Sequence, residues 1–132
     1  MVIQIDRRLD EPAYEQAARQ IRDAIATGAL KPHELLPGVR GLASDLGVNL
    51  NTIARAYRLL EEQGFVQIRD RSGVEVAEPA RRAPAEASAA LRDELWHVLL
   101  RMRQAGMPSA GLRREIDRQL DRLLTPQGES ER

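Results

Sequence analysis

The chain has 132 residues, 20 basic and 20 acidic, so its formal charge is zero and bulk electrostatics offers no pointer to a nucleic-acid partner. Such a length accommodates one core of ordinary size with an appendage and excludes two full globular cores. Cysteine is absent, which removes disulfides, thiolate metal sites and cysteine nucleophiles together. No apolar run approaches the ~20 residues that span a bilayer, and Met1 to Asp10 lacks the apolar centre of a signal peptide. The expectation is a soluble, cytoplasmic protein without a membrane partner.

In chain order, Val2 to Ile5 is short, β-prone and apolar at alternate positions, which predicts a small strand. The period then changes. Tyr14, Ala17, Ala18, Ile21, Ala24 and Ile25 recur at three- and four-residue steps, with Pro12 suited to a first turn and Gly28 to the position past the last, which predicts a first helix over about 11–27. Lys31 to Pro37 is rich in breakers and reads as a turn, although Leu30, Leu35 and Leu36 are core candidates. Val39, Leu42, Ala43 and Leu46 mark a brief second helix stopped by Gly47. A third begins after Asn49, buries Ile53, Ala56, Tyr57 and Leu60, and ends near Gly64. Phe65 to Ile68 and Val74 to Ala77 alternate like strands around a polar turn and predict a two-stranded hairpin, a wing.

Residues 79–90 hold almost no large apolar side chain and read as a linker between a head at 1–78 and a tail. In the tail, 91–125, Leu91, Leu95, Val98, Leu99 and Met102 mark a fourth helix, Gly106 to Pro108 break it, and Leu112, Ile116, Leu120, Leu123 and Leu124 mark a fifth. Two short amphipathic helices do not bury their stripes alone, and a second copy of the chain would cover them. Leu91, Leu95, Trp96, Val98, Leu99, Met102, Leu112, Ile116, Leu120 and Leu123 are therefore the candidate dimerisation residues, with Trp96 suited to core or interface packing. Residues 126–132 read as a disordered tail. The fold class is mainly α with a small β wing: a winged helix-turn-helix domain followed by a two-helix C-terminal dimerisation segment.

The second helix, the turn at Val48 and the third helix have the size of a helix-turn-helix, whose second helix lies in the major groove. With Ile53, Ala56, Tyr57 and Leu60 turned inward, a 3.6-residue period puts Asn51, Thr52, Arg55 and Arg58 outward. These side chains can bond base edges or phosphates, though a charged outer face is also what any solvated helix shows. Nineteen of the twenty basic residues are arginine, Lys31 being the exception. The planar guanidinium binds phosphate and guanine edges through two bonds at once.

More specific is the ordered series Pro12-Ala13-Tyr14-Glu15-Gln16, Ile21-Arg22-Asp23-Ala24-Ile25, Gly28-Ala29-Leu30-Lys31-Pro32, Leu36-Pro37-Gly38-Val39-Arg40, Leu42-Ala43, Leu46-Gly47-Val48 and Asn51-Thr52-Ile53-Ala54-Arg55-Ala56-Tyr57. It strongly resembles the winged helix-turn-helix head of GntR-family regulators over about residues 10–78. That family usually adds a large effector-binding or aminotransferase-like domain, for which this chain has no room. Its tail looks like that of the short-tailed YtrA-type subgroup, in which two helices dimerise. By position, the resemblance implies that Arg40, Asn49, Asn51, Thr52 and Arg55, with Arg69, Arg71 and Gly73 in the wing, face double-stranded operator DNA.

Departures from the family pattern are specific. Gly38 and Gly41 stand where the family commonly has Ser and Glu, a pair that would form a capping box over free backbone N–H groups. Leu50 replaces Pro or Arg, and Val74-Glu75 replaces the usual Thr-Phe of the wing.

No enzyme reading assembles. Glu61 and Glu62 lack a partner histidine, His33 and His97 fall in different segments, and neither a phosphate loop nor a nucleophile elbow is present. No metal and no cofactor are expected, and the sequence names no small-molecule effector. The predicted function is a sequence-specific transcriptional regulator, a repressor by resemblance, binding a palindromic operator as a homodimer. Two alternatives stay open: a winged-helix interaction adaptor without DNA binding, favoured by the near-neutral charge, and a ligand-sensing regulator.

Overall fold

The computed structural model describes residues 2–69, 73–79 and 85–124, which form two compact units, a head within 1–79 and a tail within 80–124. Residues 80–84 of the expected linker, Arg71 and the expected tail at 126–132 lie outside the described residues.

The head begins with α1 (Ala13–Ala26). Its first turn closes on the Pro12 carbonyl, which accepts from the amides of Glu15 and Gln16, a position where proline's missing N–H costs nothing. β1 (Leu35–Leu36), α2 (Val39–Leu46), α3 (Leu50–Glu62), β2 (Val66–Arg69) and β3 (Gly73–Val76) follow. The sheet order is β1-β3-β2, antiparallel throughout, with Leu36 opposite Val74 and Val66 opposite Val76.

α1 and α3 approach closely because Ala17, Ala18 and Ala56 are fully buried between larger Ile21, Ile53, Tyr57 and Leu60. The sheet covers one side of this core with Leu36, Val66, Val74 and Val76. α2 is short because Gly47, at φ 67°, takes the left-handed conformation that ends it, while its amide bonds the Ser44 carbonyl. The Tyr57 hydroxyl donates to the Pro37 carbonyl at 2.6 Å, fastening the segment before α2 to the middle of α3.

Two elements of the head differ from the sequence expectation. Val2 to Ile5 forms no strand, because the partners a neighbouring strand would supply come from side chains of α1. The Gln20 amide accepts from the Gln4 N–H at 3.0 Å and donates to the Gln4 carbonyl at 2.7 Å. Gln16, buried, does the same for Asp6 at 2.8 and 2.9 Å and also donates to the Glu11 carbonyl. Within the expected turn at Lys31 to Pro37, Leu35–Leu36 is a third strand, too short to leave a period in the sequence.

α2 carries no side-chain cap at Gly38, and a β-carbon at Gly38 or Gly41 would meet nothing within 4 Å. Its first turn is therefore expected to exchange amide protons faster than α3. Gly38→Ser with Gly41→Glu should slow that exchange and add about 0.5–2 kcal/mol of stability. Hydrogen exchange on both proteins checks this, and equal protection of α2 and α3 in the parent chain would contradict it.

In the tail, α4 (Ala85–Gln104) and α5 (Ser109–Leu124) are joined through Gly106. α4 starts before Leu91, so residues 85–90 of the expected linker are helical. Their Ala and Glu content, poor for a core, is favourable for a helix. The candidate dimerisation residues divide into two sets. Leu99, Met102, Leu112 and Ile116 are half-buried, and a groove lined by Leu99, Met107, Leu112 and Ile116 runs between the two helices. Leu91, Leu95, Trp96, Val98, Leu120 and Leu123 are exposed, as are Leu100 and Leu124. No described helix is long and apolar enough to cross a membrane.

Candidate nucleic-acid interface

α3 starts from Asn49, whose side-chain oxygen accepts from the Asn51 N–H at 2.7 Å, a direct N-cap that sets the helix going where the free amides point outward. Asn49 is thus engaged in capping through its oxygen. Burial of Ile53, Ala56, Tyr57 and Leu60 fixes the rotation of α3 about its axis. Asn51, Arg55 and Arg58 consequently line the exposed side, with Thr52 half-buried at its margin. The helix is polarised along its length, uncharged over its first turn, basic at Arg55 and Arg58 and acidic at Glu61 and Glu62.

Those two carboxylates differ in role. Glu61 accepts from the Ile68 N–H at 2.7 Å, tying the end of α3 to β2. Glu62 stands exposed on the same side as Arg58.

Arg55 is held by a neighbour that periodicity did not associate with it: its guanidinium carbon lies 3.8 Å from the centroid of the Tyr14 ring on α1. Tyr14 reads in sequence as one more residue of the α1 core stripe, and only the packing of α1 on α3 brings the two together. Arg40, in the first turn of α2, is exposed and has no ion pair among the described residues.

In the wing, Gly73 opens β3 at φ 93°, a conformation costly for any residue with a β-carbon. Arg69 ends β2 with its guanidinium engaged, Nε 3.3 Å from Glu75 and Nη2 donating to Gln67 at 3.0 Å. Glu75 also meets His33, whose two ring nitrogens lie 2.8 Å from Glu75 and 3.1 Å from Glu78. A neutral imidazole has one N–H and could satisfy only one of these carboxylates. The contact with Glu75, then that with Glu78, accordingly raises the His33 pKa above its ordinary value, while His33 lowers that of Glu75. His97 lies in the tail, its Nδ1 beside the Asp93 carbonyl at 2.8 Å.

Three helices, the last presenting polar and arginine side chains outward, and a following wing closed by a short strand define the class of winged helix-turn-helix proteins. Residues 13–76 match the family described as bacterial regulatory proteins, gntR family. The chain is 32% identical over 107 residues to the HTH-type transcriptional repressor YtrA of Bacillus subtilis (strain 168), covering 80% of this chain and 82% of that protein. Among solved structures it resembles YtrA from Sulfolobus acidocaldarius, a GntR-family transcription factor, with TM-score 0.61 and 36% identity over 76% of this chain and 99% of that one. A transcriptional antiterminator from Listeria monocytogenes EGD-e superposes with TM-score 0.77 at 25% identity, over 89% of each chain. The chain belongs to the gntR family of DNA-binding transcriptional regulators, a non-enzymatic family, and is similar to its YtrA-type members.

Proposed function

We propose that this chain is a cytoplasmic, sequence-specific repressor that binds a palindromic operator as a homodimer. The observation that carries the reading is the division of α3, with one side wholly buried and the other offering Asn51, Thr52, Arg55 and Arg58. In this reading α3 enters the major groove, with Asn51 and Arg55 nearest base edges and Arg58 on the backbone. Arg40 contacts phosphate from α2. Asn49 contributes through its amide N–H groups, which remain after its oxygen has capped α3. Arg69, Arg71 and Gly73 place the wing against backbone or minor groove, and Arg69 exchanges its contact with Glu75 for a phosphate. Pairing of tails through Leu91, Leu95, Trp96, Val98, Leu120 and Leu123 supplies the two-fold axis, and an operator read by such a dimer has matching two-fold symmetry. The names of the YtrA relatives, a repressor and a transcription factor, support the same reading.

Footprinting on the DNA upstream of the chain's own gene tests binding and symmetry together. In fluorescence-anisotropy titrations of the protected duplex, Arg40→Ala and Arg55→Ala should each weaken binding about tenfold or more, at about 1–3 kcal/mol per good contact. Affinity should also fall steeply with salt as phosphate-bound counterions are released. The zero net charge favours a second reading, an adaptor that binds protein rather than DNA. Full binding by both variants, or absence of a footprint, would favour that reading over the first.

A further inference from the structure

We infer that Tyr14 is a positioning residue for the DNA contact assigned above to Arg55, an inference that rests on the reading of α3 as the DNA-facing helix. Arg55 is exposed, and among the described residues no carboxylate pairs with it; what holds it is the Tyr14 ring 3.8 Å beneath its guanidinium carbon. The ring is itself placed: Tyr14 packs partly buried against the core, and its hydroxyl donates to Glu15 at 3.1 Å. Two shallow depressions meet at this pair, one bounded by Asn51 and Thr52, the other by Arg58, Leu59 and Glu62. Arg55 thus lies at the middle of the outward side of α3, between its uncharged and its second basic portion.

The kind of contact matters. An arginine held by a carboxylate and its neighbours spends N–H donors on them, as Arg69 does with Nε 3.3 Å from Glu75 and Nη2 donating to Gln67. A guanidinium lying over an aromatic face is attracted through the π-system and keeps its in-plane N–H donors for another acceptor. A free arginine loses much rotamer freedom when a ligand immobilises it, and a side chain restrained beforehand loses less on binding. Tyr14 therefore keeps Arg55 ordered and still able to donate, and α1 takes part in recognition without touching DNA.

The test is a double-mutant cycle on the full chain, titrating the footprinted duplex with the parent, Tyr14→Phe, Tyr14→Leu, Arg55→Ala and the Leu/Ala double variant. Circular dichroism confirms that each is folded at the titration temperature. Tyr14→Phe, which keeps the ring, should bind within about twofold of the parent, and Tyr14→Leu about fivefold more weakly, a loss within the range of an exposed cation–π contact. The double variant should bind no more weakly than Arg55→Ala alone, because without Arg55 there is nothing for the ring to position. Additive losses, unchanged or tighter binding by Tyr14→Leu, or failure of Phe to restore binding would each overturn the inference. If Arg55→Ala itself binds normally, the assignment of Arg55 to DNA fails and the inference falls with it; normal loss in Arg55→Ala with no loss in Tyr14→Leu refutes the positioning role alone.

Discussion

Replacing Tyr57 with alanine is expected to lower the stability of the head by about 3–5 kcal/mol, the range for removing a large aromatic side chain from a close-packed core. Tyr57 is 0% exposed and is among the largest fully buried side chains of the head. The substitution also deprives the Pro37 carbonyl of its 2.6 Å partner and unfastens the segment leading into α2. Tyr57→Phe separates the two effects. It keeps the ring and loses only the hydrogen bond, and should cost about 1–2 kcal/mol, near the net value of one such bond with a carbonyl left unpaired. Urea titrations followed by circular dichroism measure both, and a loss below about 1 kcal/mol for the alanine variant would show that the core collapses around the gap.

Burial also pushes the Tyr57 hydroxyl pKa from 10.0 up to about 12. Because the folded-state value is the higher, this contribution is complete below the unfolded pKa. It is lost as pH rises through the window from about 10 to about 12, since the unfolded chain releases its proton first. In Tyr57→Phe that alkaline loss should be smaller.

The second large effect concerns the tail. Leu95→Asp together with Leu120→Asp is expected to make the chain monomeric in sedimentation and to weaken operator binding about a hundredfold or more. The second head would then bind without the effective concentration that a linked partner provides. Leu91, Leu95 and Trp96 on α4 are 61%, 56% and 58% exposed, and α5 exposes Leu120, Leu123 and Leu124 as well. A two-helix hairpin showing that much apolar surface is stable in water chiefly when a partner covers it. The head should melt as in the parent chain, since its core residues all lie within 1–79. A parent chain that sediments as a monomer at micromolar concentration, or a variant that remains dimeric, would refute the proposed interface.

The main elements of the head were legible because each helix announces itself twice. α1, α2 and α3 each combine an apolar period with a boundary residue, namely Pro12, Gly47 and Asn49. The wing strands were legible through alternation around a polar turn, and β2 and β3 lie within a residue of their expected bounds. Less legible was anything whose hydrogen-bond partner comes from elsewhere in the chain. Two residues of β1 show no periodicity, and the extended segment at Val2 to Ile5 looks the same whether strand backbone or glutamine side chains satisfy it. The start of α4 at Ala85 was hidden for another reason. Alanine-rich sequence without large apolar residues reads as linker, whereas its helix propensity lets it extend the helix toward the N-terminus.

The candidate interface divides in the same way. That Asn51, Arg55 and Arg58 share the outward side of α3 follows from helical period alone, because the buried stripe of Ile53, Ala56, Tyr57 and Leu60 leaves them no other. Which groups those and the neighbouring side chains meet depends on how the elements pack. Arg55 rests on Tyr14, Arg69 is taken up by Glu75, and Glu75 is shared with His33. Such pairings depend on which side chains two elements bring face to face once they pack. A periodic pattern specifies the side a residue occupies and carries no information about the residue it will meet there.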